Sequence, residues 1–126
     1  MPDLNHHFSH AATVIPVIDV SRSLAFYRDQ LGFKVTFSWE DPPSYAVLKA
    51  GEHVQIHLSQ RPQQAEAAAA GAGTMVYIFV QDIDGLYQAY SQREVAIHTP
   101  IGDRDYGMRD FDLLDPDGNI ISFGAG

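Results

Sequence analysis

The strongest constraint on this chain is a faint internal duplication at half its length. Val17-Ile18-Asp19-Val20 is followed by Tyr27, eight residues past Asp19, and Val80-Gln81-Asp82-Ile83 is followed by Tyr90, eight residues past Asp82. Asp19 and Asp82 stand 63 positions apart, half of the 126 residues. The ends of the halves correspond as well. Lys49-Ala50-Gly51-Glu52 is a turn before the alternating run Val54-Gln55-Ile56-His57-Leu58, and Asp115-Pro116-Asp117-Gly118 is a turn before Asn119-Ile120-Ile121-Ser122-Phe123. A repeat on this scale reads as two copies of one supersecondary unit.

Each half reads as strand, helix, strand, strand, strand, which predicts an α+β chain of two βαβββ modules over about 11–60 and 74–124, joined by a linker at 61–73. In the first, Ala12–Val17 alternates as a strand. Leu24, Tyr27, Arg28 and Leu31 then follow helical spacing, with Asp19 or Ser21 to cap the start and Gly32 to close the end. Strands are expected at Phe33–Glu40, Tyr45–Ala50 and Val54–Ser59. The second half repeats the order with Thr74–Val80, a helix over Ile83–Arg93, and strands near Val95–His98, Phe111–Leu114 and Ile120–Phe123. Pro16 lacks a ladder donor, so the first strand belongs at an edge or a module junction. The Ala/Gly-rich tract Ala65–Gly73 reads as a connector.

Period-two alternation assigns the strand faces. Val54, Ile56 and Leu58 oppose His53, Gln55, His57 and Ser59; Val76, Ile78 and Val80 oppose Met75, Tyr77 and Phe79; Phe111 and Leu113 oppose Asp110, Asp112 and Leu114. One face is aliphatic and suits packing beneath the helices. The other mixes aromatic, amide, imidazole and carboxylate groups, which suits a small ligand better than it suits a merely solvated back.

Taken together, Ile15-Pro16-Val17-Ile18-Asp19-Val20-Ser21-Arg22-Ser23-Leu24-Ala25-Phe26-Tyr27, Leu31-Gly32-Phe33, Tyr106-Gly107-Met108-Arg109-Asp110-Phe111 and Asp115-Pro116-Asp117-Gly118-Asn119 are distinctive. The chain resembles the vicinal oxygen chelate superfamily (glyoxalase, bleomycin resistance protein, extradiol dioxygenase), and most of all its bleomycin-resistance branch. The resemblance implies a U-shaped groove lined by the strands, usually completed by a homodimer. It also implies that enzymes of the superfamily hold a divalent metal in that groove. The corresponding positions here are Ala12, His57, Met75 and Ser122. Only His57 is a competent ligand among them, whereas such a site needs about three oxygen or nitrogen donors. The expectation is therefore no metal, no cofactor and no catalytic residue.

Composition narrows the partners. The chain has no cysteine and a net charge of −8, which excludes disulfide scaffolds and thiolate sites, disfavours nucleic acid and anionic lipid, and favours cationic small molecules. No apolar stretch approaches a membrane span, and the first ten residues do not read as a signal peptide, so a cytoplasmic protein is expected. His6, His7 and His10 fall in a polar tail and His53 in a turn. His98 rims the groove or ends a strand. Asp103/Asp105 and Asp110/Asp112 are read as solvating carboxylates that supply negative potential. Trp39, Tyr45, Tyr77 and Tyr106 are expected to stack on a ligand, and Gln55, His57 and Asp112 to supply polar contacts, with Met75 and Ser122 on the same face. By the resemblance, Tyr106 stands where bleomycin-binding relatives carry a tryptophan.

The leading expectation is a non-catalytic, homodimeric protein that binds and sequesters a small, planar, cationic, antibiotic-like ligand. The alternative is a glyoxalase- or dioxygenase-like enzyme with a non-standard or absent metal site. A third reading is an interaction domain whose groove is filled by its own Ala-rich connector.

Overall fold

In the computed structural model, which describes residues 3–61 and 73–126, each half builds its own four-stranded sheet. The first module runs β1 (Thr13–Val17), α1 (Val20–Ala25), β2 (Lys34–Trp39), β3 (Tyr45–Ala50) and β4 (Val54–Gln60). The second runs β5 (Thr74–Phe79), α2 (Ile83–Ser91), β6 (Ala96–Asp103), β7 (Arg109–Leu114) and β8 (Ile120–Ala125). The strand orders, β1-β4-β3-β2 and β5-β8-β7-β6, are the same order twice. In each module the first strand lies parallel to the last and the remaining neighbours are antiparallel. The expected α+β architecture of two βαβββ modules is what forms. The connector assigned to 61–73 lies outside the described residues except at its two ends.

Both helices start where the repeat places an aspartate. Asp19 accepts a hydrogen bond from the Arg22 amide at 3.2 Å, and Asp82 accepts one from the Gly85 amide at 3.3 Å. After Ala25 the first helix widens into a π-helical stretch, Phe26–Gln30, which ends at Gly32 in the left-handed region at φ +83°. Pro16 sits in an edge strand, as its missing donor requires. β6 runs to Asp103, five residues past the boundary expected at His98. It is also an edge strand, so Pro100 is tolerated there with register shifts on either side of Thr99.

The aliphatic strand faces pack beneath the helices as one continuous core. Val20, Leu24 and Tyr27 meet Ala46, Leu48, Ile56 and Leu58, while Ile83 and Tyr90 meet Phe111, Leu113, Ile121 and Phe123. The Phe111 and Phe123 rings stack at 5.2 Å, with Tyr90 set edge-on to both. Polar contacts lock the modules together at several points. Tyr90 donates its hydroxyl to the Leu31 carbonyl at 2.8 Å. The Asp115–Asn119 turn grips the start of α1: the fully buried Asp117 carboxylate receives Arg22 Nη2 at 2.8 Å together with the Ile18 amide and the Ser23 hydroxyl.

Candidate functional site

With one face of each sheet under the helices, the opposite faces stay open, and they carry side chains that a solvated surface would not select. Val14, Phe37, Trp39, Phe79 and Tyr106 are each half exposed or more, and Phe79 is 73% exposed. On the first sheet, strand pairing sets Phe37 beside Val47 and Trp39 beside Tyr45, and the Phe37 and Trp39 rings stack at 6.5 Å. β4 adds His57, whose register partners are Val14 and Val47. The Tyr45 hydroxyl lies 2.6 Å from His57 Nδ1. His57 Nε2 is a buried atom with no hydrogen-bond partner among the described residues.

The second sheet is built around a carboxylate. Asp110 is only 6% exposed. Its Oδ2 accepts the Tyr77 hydroxyl at 2.8 Å and the Tyr106 hydroxyl at 2.5 Å, while its Oδ1 accepts Arg104 Nε at 2.6 Å. Burial alone would push this carboxyl up, but the three donors outweigh it and hold the group below the usual aspartate range. The same geometry acts on the phenols. Burial and the Asp110 hydrogen bond push Tyr77 up to about 12, and the hydrogen bond to Asp110 is the main cause raising Tyr106. Tyr77 reaches Asp110 from β5 by crossing β8 above Gly124, where a methyl group would overlap its ring and hydroxyl. Beside this hub the Ser122 hydroxyl donates to Asp112 at 2.6 Å, and Thr74 Oγ1 lies 3.0 Å from Ser122 Oγ.

The two faces approach each other where β1 lies against β5. A shallow depression of about 250 Å³ there is lined by Thr13, Val54, Gln55, Val76, Tyr77 and Phe79. Gln55 and Tyr77, expected as ligand contacts, thus share one concavity. Trp39, Tyr45 and His57 group on the first sheet, and Tyr77, Tyr106 and Asp112 on the second. Two expected residues are placed differently. Met75 sits at the register shift between Thr74 and Val76 and packs partly against the core. Ser122 is 1% exposed and serves as a support for Asp112.

The carboxylates also depart from expectation. Asp110, read as a solvating group, is a buried hub, and Arg104, not singled out in sequence, is its cation. Arg109 lies away from the open face in ion pairs with Asp84 at 2.7 Å and Asp103 at 3.2 Å. His98 is an exposed residue within β6 rather than its end.

The metal positions of the superfamily do not fit an ion here. Ala12 has no donor, His57 Nδ1 and Ser122 Oγ are engaged by neighbours, and Met75 offers only a thioether. Among the described residues, no three His, Cys, Asp or Glu side chains are grouped to hold one.

Comparison with known proteins follows the same line. A profile of the Glyoxalase/Bleomycin resistance protein/Dioxygenase superfamily matches residues 6–123. A bleomycin resistance protein from Geobacillus stearothermophilus is 35% identical over 125 residues, covering 86% of this chain and 90% of that protein. Among solved structures, a bleomycin-binding protein from bleomycin-producing Streptomyces verticillus, complexed with copper(II)-bleomycin, superposes with a TM-score of 0.77 at 27% identity, over 94% of this chain and 97% of that one. A superfamily member from Sphaerobacter thermophilus gives 0.76 at 25% identity, over 94% and 98%.

Proposed function

This chain belongs to the Glyoxalase/Bleomycin resistance protein/Dioxygenase superfamily, and from that premise we propose that it binds and sequesters a planar, cationic, antibiotic-like small molecule without transforming it. The observation that carries the reading is the pairing of exposed aromatic faces with a donor set that cannot grip a catalytic ion. Trp39 and Phe37 offer exposed flat surfaces on one sheet, Tyr106 with the partly buried Tyr77 on the other, and Asp112 adds a carboxylate on the second sheet. The relatives named as bleomycin resistance and bleomycin-binding proteins support the same ligand class.

The active form is a homodimer. An apolar patch of Val14, Phe37, Trp39 and Phe79 on a single chain favours burial against a second copy, with the ligand held between the opposed faces. No described helix is long and apolar enough to cross a membrane; the setting we propose is the cytoplasm.

Calorimetric titration with bleomycin tests the proposal. Saturable heat at micromolar protein is expected, and the absence of heat would defeat the bleomycin-specific form of it.

A further inference from the structure

We infer that Asp110 is a positioning residue: it does not hold the ligand, but fixes Tyr77 and Tyr106 as a preset aromatic wall. This deepens the binding reading above and rests on it.

The geometry leaves Asp110 nothing to offer a ligand. Both carboxylate oxygens are engaged, one by two phenols and the other by Arg104 Nε, and the residue is 6% exposed. Its charge is matched by a guanidinium that is itself anchored, since Arg104 Nη2 donates to the Pro100 and Asp110 carbonyls at 2.8 and 2.9 Å. The tyrosines are in the opposite condition. Tyr106 is 68% exposed, yet its hydroxyl is pinned, so the ring is free to be covered while its orientation is set. Tyr106 belongs to the tight turn between β6 and β7, closed by the Arg104 amide on the Met108 carbonyl at 2.7 Å and the Gly107 amide on the Arg104 carbonyl at 3.1 Å.

Side chains from β5 and the β6–β7 turn therefore converge on a single carboxylate of β7, and two of them are aromatic rings held by their hydroxyls. Gly124 is part of the device. It is the register partner of both Phe79 and Asp110, and its missing side chain is what lets Tyr77 cross β8. An exposed aromatic that must be frozen on binding weakens affinity, and one frozen beforehand does not. Asp112, which has no cationic partner among the described residues, is left as the anionic group of that face.

The test compares wild type with Asp110→Asn in two measurements. Tyrosine ionisation is followed by ultraviolet absorbance after rapid pH jumps, with no ligand present. Calorimetric titration with bleomycin is run at low and high salt. In the variant, two tyrosines are expected to ionise nearer pH ~10, the ordinary value. Affinity should fall about tenfold, while its salt dependence stays that of wild type.

A variant whose tyrosines titrate as in wild type overturns the anchoring role. A variant that has lost the salt dependence makes Asp110 a direct ligand contact and overturns the inference equally. Should Asp110→Asn fail to fold, Tyr106→Phe removes one anchor and keeps the ring: binding several-fold weaker is expected, and unchanged affinity overturns the inference. If wild type gives no heat with bleomycin, the binding reading fails by itself, and the tyrosine titration still decides whether Asp110 anchors the pair.

Discussion

The Tyr27 hydroxyl donates to Asp115 Oδ2 at 2.9 Å, joining the helical segment of one module to the turn of the other across 88 residues of sequence. The duplication is broken at this point. Tyr90, the counterpart of Tyr27, donates instead to the Leu31 carbonyl, and Glu52, which stands 63 positions before Asp115, is 90% exposed. Both tyrosines therefore clasp the modules together, but only Tyr27 does so through a carboxylate.

Asp115→Asn should destabilise the fold by about 2–4 kcal/mol. Four donors converge on this carboxylate: the Asp117 and Asn119 amides, Asn119 Nδ2 and the Tyr27 hydroxyl. An asparagine would turn its own NH₂ group toward some of them, leaving buried donors unmatched. Urea unfolding measures the loss, and a change below about 1 kcal/mol would contradict the clasp.

Acid should separate two aspartates of opposite sign. Asp110 is held below the ordinary range, so its contribution is present above the unfolded-state value near pH ~4 and is lost as pH falls through the native value. Asp115 is raised, chiefly by burial, so its contribution is full below pH ~4 and declines as pH rises through its native value. Melting temperatures between pH ~2 and ~6 should fall less steeply on the acid side in Asp110→Asn than in wild type. Parallel curves would contradict the assignment.

Much of this arrangement was legible in the sequence, and what was not has identifiable causes. The half-length repeat predicts the order of elements in both halves, and Asp19, offered beside Ser21 as a cap, acts locally: it and Asp82 each satisfy an amide three residues on. Trp39 and Tyr45 come to the groove only through the family resemblance, while alternation assigns His57, Tyr77 and Asp112 to the mixed face. It also placed Asp110 there and suggested a solvated charge, since its partners Tyr77 and Arg104 come from other strands and a turn and meet only once the register is set. Gly124 was the one local trace of that crossing, and a lone glycine in a strand has many explanations. Met75 falls at a register shift, where strict alternation no longer fixes a strand's faces.

Trp39 is the single tryptophan of the chain and is 59% exposed. A planar ligand stacked on it should quench or shift its fluorescence, and Trp39→Ala should weaken binding by about 1–2 kcal/mol, roughly five- to thirtyfold. An emission spectrum unchanged at saturating ligand would remove Trp39 from the site.

Phe79→Glu tests the proposed dimer. A charge placed on this 73% exposed ring should shift sedimentation to the monomer without altering the far-ultraviolet circular dichroism. A variant that still sediments as a dimer would locate the contact elsewhere.

Capture without conversion is tested most directly by the fate of the ligand. The chain is saturated with bleomycin, incubated with and without a strong chelator, denatured, and the released drug is weighed by mass spectrometry. The account predicts binding that survives the chelator and a drug recovered at its original mass. A product of altered mass that forms only when divalent metal is available would contradict it.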